Sequence, residues 1–102
     1  MSRGPDAATL LERAIVAHAA RAGLVVEVVD AAARRWASAT FAGMRHRLTL
    51  AIAAEGSGWL AGLPDADLPL RRHIVADLSV EAGACRVGSL MAVVEALTVE
   101  DG

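Results

Sequence analysis

The 102-residue chain predicts a two-layer α+β domain, an N-terminal helix packed on one face of a four- or five-stranded, mainly antiparallel sheet. Three observations carry that prediction. Residues 5–22 repeat apolar side chains at spacings of three and four, residues 72–81 alternate, and residues 34–54 read as a β-hairpin with two chemically distinct faces.

Pro5 and Asp6 suit a helix start, where a missing N–H and a negative charge are both tolerated. Leu10, Leu11, Ala14, Ile15, His18 and Ala22 then form one stripe able to face a sheet, and Gly23 follows as the stop. Residues 24–30, rich in valine, read as a strand. In the hairpin, Gly43 and Met44 are expected to form a two-residue turn that places Ala42 opposite Arg45. Phe41, Ala39 and Ala37 then meet His46, Leu48 and Leu50 on a core face. Thr40, Ser38 and Trp36 meet Arg47, Thr49 and Ala51 on an outer face.

Residues 55–58 read as a flexible turn, and the two prolines of 59–70 mark a long connection fastened by Trp59, Leu63, Leu68 and Leu70. In 72–81, Ile74, Ala76, Leu78 and Val80 fall on one side, with His73, Val75, Asp77, Ser79 and Glu81 on the other. Residues 82–84 turn the chain. Residues 86–99 have helix-forming stretches, but the ending Leu97-Thr98-Val99-Glu100 favours a strand with a bulge. The strands are expected to follow one another as an antiparallel meander, all in a single domain spanning 1–102 with a flexible tail over 1–5.

Composition narrows the function classes. The 55% apolar content is largely alanine with only 3% aromatic residues, so the core is thin and burial through self-association is favoured. All ten basic residues are arginine, and asparagine, glutamine and tyrosine are also missing, a bias of GC-rich bacterial coding that weakens any inference from an arginine's mere presence. A net charge of −2 and a pI near 5.8 argue against phosphate-backbone binding, so no nucleic-acid partner is expected. No run of eighteen apolar residues suggests a membrane span, and the N-terminus lacks the layout of a signal peptide. The single cysteine, Cys85, makes a reducing cytoplasm the expected setting.

Chemistry-bearing residues are sparse. If the strand beginning near 72 pairs with the one ending near 54, Asp77 approaches Thr49, Glu81 approaches Arg45, and Arg47 lies near Ser79. Arg45, Arg47, His73 and Asp77 then form a candidate anion site. His18, His46 and His73 lack ligand spacing, with His46 on the core face and His73 on the outer one, so no metal and no cofactor are expected. Pro64-Asp65-Ala66-Asp67 reads as turn chemistry, and no serine sits in a nucleophile frame, so no catalytic residue is assigned. The expected function is that of a non-enzymatic module acting through homo-oligomer or protein-partner assembly, with a homodimer closing the open sheet face over Trp36, Thr40, Arg47, Thr49 and Asp77. The alternative is a small-anion binder or modest enzyme with its cleft between the sheet and the 59–70 connection.

Overall fold

A computed structural model describes residues 6–86 and 88–101, with residues 84–86 described in backbone only. The expected tail over 1–5 and the side chain of Cys85 lie outside the described residues. Helix α1 (Ala7–Arg21) precedes strands β1 (Val26–Ala37) and β2 (Ala42–Ala53). A short helix α2 (Ser57–Gly62), flanked by 3-10 turns at Ala54–Gly56 and Leu63–Asp65, leads to β3 (His73–Arg86) and β4 (Ser89–Glu100). The four strands form one antiparallel sheet in the order β1-β2-β4-β3, and the helices cover one of its faces. The protein is a two-layer α+β structure, as its residue pattern implies.

Both ends of α1 are closed by local chemistry. Asp6 Oδ1 accepts a hydrogen bond from the Thr9 N–H at 2.9 Å, satisfying an amide that no helical carbonyl can reach. At the other end Gly23, at φ +79°, donates to Ala20 and Leu24 donates to Ala19, a pair of bonds that needs a left-handed residue between them. Between the caps, Leu11, Ile15 and Ala19 are fully buried on Leu48, Leu50, Ala92 and Val94. Burial of each larger aliphatic side chain contributes about 1.5–3 kcal/mol.

The hairpin differs from its expected register. The expected strands over 24–30 and 34–41 are one strand, β1, and the turn lies at 38–41, so Ala37 pairs with Ala42 and Trp36 with Gly43. Ser38 explains the shift. Its N–H donates to the Phe41 carbonyl at 2.7 Å while its hydroxyl accepts from the Phe41 N–H at 3.1 Å. Phe41 and Thr40, placed on strand faces by the sequence pattern, therefore sit in the loop, and Phe41 is 58% exposed. Gly43 is a strand glycine instead of a turn glycine: a Cβ there would collide with the Thr98 carbonyl and press on the Trp36 indole.

The strand order also departs from a meander. β2 and β3 run in the same direction, so residues 54–72 must return along the whole sheet before β3 begins. That return is the α2 segment, which replaces the expected flexible turn at 55–58 and buries Leu60, Leu63, Leu68 and Leu70 over the sheet. β4 then enters between β2 and β3, which overturns the expected pairing of β3 with β2. Residues 82–84 continue β3 instead of turning, through a register shift between Ala82 and Cys85. Residues 89–100 are strand throughout, resolving the helix-or-strand ambiguity.

A second shift, between Val75 and Asp77, resets the alternation of β3. Leu78 and Val80 face the helices as expected, but Ile74 is turned to the opposite face at 51% exposure, while Val75 packs against the core. His73 follows Val75 onto the covered side.

Candidate functional site: the open sheet face

The face away from the helices is ordered by the registers of the four strands. Taking residues across β1, β2, β4 and β3 in turn, one row holds Trp36, Gly43, Val99 and Ile74, and the next Arg34, Arg45, Leu97 and Asp77. Below these lie Ala32, Arg47, Glu95 and Ser79, then Asp30, Thr49, Val93 and Glu81. Glu27, Ala51 and Met91 close the far end.

At the centre Arg47 Nη1 lies 3.3 Å from Glu95 Oε2, with the two side chains 64% and 59% exposed. So open a pair is worth at most about 1 kcal/mol. Half-buried apolar groups lie on either side of it: Trp36, Leu97 and Val99 toward the hairpin loop, Met91, Val93 and Ala51 toward the other end. Charge is divided between the two halves. The β1–β2 half carries Arg34, Arg45 and Arg47, with Asp30 and Glu27 toward one end, whereas the β4–β3 half carries Asp77, Glu81 and Glu95, with Arg86 at the register position opposite Ser89 at its far end.

Of the residues the sequence singled out, Arg45, Arg47, Thr49, Asp77 and Trp36 share this face. Thr40 does not, because it belongs to the 38–41 loop. His73 does not either: it borders the 66–70 segment on the covered side. Asp77 pairs with Leu97 and Glu81 with Val93, so neither reaches the β2 residue expected opposite it. Trp36 meets Gly43 and not Ala51, and no part of the 59–70 connection lies over it. Its indole N–H is buried and finds no acceptor among the described residues. Arg34 and, on β4, Met91, Val93, Glu95 and Leu97 are candidates on this face that sequence reasoning missed. The signal for the β4 residues was the odd-numbered parity of residues 91–99, readable only once that segment is a strand.

Shallow depressions border the arginines of this face. One of about 450 Å³ lies among Arg34, Arg45, His46 and Arg47 with Glu95 as its one carboxylate, one of about 370 Å³ beside Arg47 is bordered by Glu81 and Glu95, and a smaller one by Asp77 and Glu95. Glu95 already offsets the charge of Arg47. The 59–70 connection packs on the opposite face, so Arg45, Arg47 and Asp77 do not line a cleft with it.

The covered face holds a buried histidine. His46 is 3% exposed beneath the start of α1, its Nε2 lying 2.9 Å from Thr98 Oγ1, while Nδ1 has no partner among the described residues. Burial pushes the imidazole below its ordinary range. Asp6 opposes that push and His73 adds to it. The two histidines thus occupy one side of the sheet, not opposite sides. No group of three or more histidine, cysteine or carboxylate side chains among the described residues is placed to hold a metal ion. No helix among them is long and apolar enough to cross a membrane.

Compared with family models, curated proteins and solved structures, the chain has no match in any of the three.

Proposed function

We propose that the protein is a non-enzymatic assembly module whose working surface is the open sheet face, closed in the functional state by a second copy of the chain. One observation carries the reading: a four-stranded face with half-buried apolar side chains on both sides of a central Arg47–Glu95 pair and no covering layer among the described residues. Area supports it. Four strands at about 4.8 Å and nine residues at about 3.3 Å project about 600 Å². The accessible surface of such a face approaches the 800 Å² or so that each partner contributes to a standard interface. A thin, alanine-rich core gains most from such closure. The composition supports a bacterial source and the lone cysteine a cytoplasmic setting for this module.

Sedimentation velocity tests the proposal. The parent is expected to run as a dimer at tens of micromolar. Truncating Trp36, the large aromatic on the face, should weaken it about thirtyfold, corresponding to a 2 kcal/mol interface anchor. Val93→Arg, which places a charge in the apolar patch, should give monomer with an unchanged far-UV spectrum. A monomeric parent, or a dimer indifferent to both substitutions, would sink the reading.

A further inference from the structure

We infer that the second copy is related by a two-fold axis running parallel to the strands, between β2 and β4. The inference rests on the proposed closure of the open face and adds its geometry. A dyad in this position exchanges the two halves of the face, laying β2 on the partner's β4 and β1 on its β3. The basic half of each copy then meets the acidic half of the other.

Row by row, the strand registers supply the pairs. Arg47 lies over the second copy's Glu95 and the converse, so with the 3.3 Å pair inside each chain the four groups form a ring of alternating charge around the axis. Arg34 lies over Asp77 of the second copy, and Trp36 over its Ile74, which is 51% exposed in the single chain. Packed sheets are rotated by about 30°, and at 10 Å separation this displaces Arg34 from the opposing Asp77 by only about 5 Å, within an arginine's reach. Near the axis the rotation barely moves Arg47.

Other two-folds do worse. An axis across the strands at the same centre would stack Arg47 on Arg47 and Glu95 on Glu95. An axis normal to the sheet could pair the exposed edge of β1 with itself about Ala32, setting Asp30 against Arg34 of the other copy. That edge arrangement leaves the apolar patches and the acidic half of the face unused. The favoured axis sets Asp30 toward Glu81 at the rim and Arg45 over the second copy's Leu97, and the first of these contacts makes the alternatives separable.

Within one chain Arg34 and Asp77 are three strands, about 14 Å, apart and do not pair. Both are exposed, so substitution leaves the fold intact. Arg34→Glu alone sets glutamate against aspartate twice per dimer, and Asp77→Arg alone sets arginine against arginine. Each is expected to raise the dimer dissociation constant at least about tenfold. An equimolar mixture of the two restores both attractive contacts, and a 1:1 heterodimer should form with near-parental affinity. Asp30→Asn, which removes the rim repulsion, should tighten the parent dimer.

Native mass spectrometry reads the heterodimer, and sedimentation reads the affinities. If Trp36→Ala and Val93→Arg dissolve the dimer while the charge variants change nothing, the face is the interface and the axis is wrong. If Asp77→Arg is silent while Arg34→Glu and Asp30→Asn both loosen the dimer, the β1 edge is the interface, and both the axis and the face reading fall.

Discussion

Gly43→Ala is the sharpest perturbation of the fold, because the turn reading and the strand reading of this glycine predict opposite signs. In a turn with room around it, alanine at a permitted φ adds about 0.4–1 kcal/mol by restricting the unfolded chain. In β2 the added methyl meets the Thr98 carbonyl inside van der Waals contact and the Trp36 Nε1 at 3.0 Å. Neither neighbour yields cheaply. The Thr98 carbonyl belongs to the β2–β4 ladder, whose register pairs Met44 with Thr98, and the Thr98 side chain is fully buried beside His46. Parting the strands by the ångström or so that a methyl requires weakens at least one ladder bond and strains the His46–Thr98 bond. Each hydrogen bond is worth about 1 kcal/mol net, and an overpacked site costs a further 1–3 kcal/mol. Even after the entropic gain, a loss of about 2–3 kcal/mol remains. For a chain of this length that is a fall in Tm of about 10–20 °C. Urea unfolding at fixed protein concentration, followed by tryptophan emission, measures it, and displacement of the Trp36 indole should shift the native emission as well. A variant as stable as the parent would refute the close approach and return Gly43 to a turn.

Two further perturbations concern polar groups away from the open face. Burial holds the pKa of His46 below the ordinary value in the fold, so around that value the unfolded chain binds more protons than the folded one. Stability is then complete above about pH 6.5 and lost as the pH falls below it toward the folded-state pKa. Thermal melts should drop between pH 7.5 and 5.5, and His46→Gln, which keeps a hydrogen-bonding group near Thr98 but does not titrate, should flatten that decline. A parent with level melts across this range would contradict it. The Trp59 indole N–H donates to His18 Nδ1 at 2.8 Å, tying α2 to α1. A double-mutant cycle with Trp59→Phe and His18→Phe should yield a coupling of about 1 kcal/mol, and a coupling near zero would remove this bond as a fastening.

Much of the architecture was legible because it follows from short-range rules. The Asp6 cap, the Leu11–Ile15 stripe and the Gly23 stop place α1 within two residues of its expected range. The alternation of Leu48, Leu50 and Ile52 identified the covered face of β2 correctly, and His46 with it. Helix α2 was harder. Gly58, Gly62 and Pro64 are breakers, yet Leu60 and Leu63 recur at helical spacing and are 2% and 1% exposed. The length of the connection held the missed clue. A meander needs only a few residues between antiparallel neighbours, and 54–72 is long enough to travel back along the sheet.

The open face was legible in kind but not in arrangement, and the reason lies in how strands carry information. Parity along a strand survives only until the next bulge. The irregularity before Asp77 in β3 therefore turned Ile74 outward and His73 inward, while Asp77 itself kept its expected face. Cross-strand neighbours depend further on strand order, and inserting β4 between β2 and β3 replaced Thr49 by Leu97 opposite Asp77. Both are long-range facts that no local spacing records. Composition misled in a related way. In a chain whose every basic residue is arginine, an arginine's identity says little, and its position must carry the argument. Arg34, Arg45 and Arg47 stand on one half of the face and Asp77, Glu81 and Glu95 on the other, with Glu27 and Asp30 toward one end of the first half and Arg86 at the far end of the second. Coding bias sets how many arginines a chain has, whereas a face divided in this way is what a self-complementary surface requires.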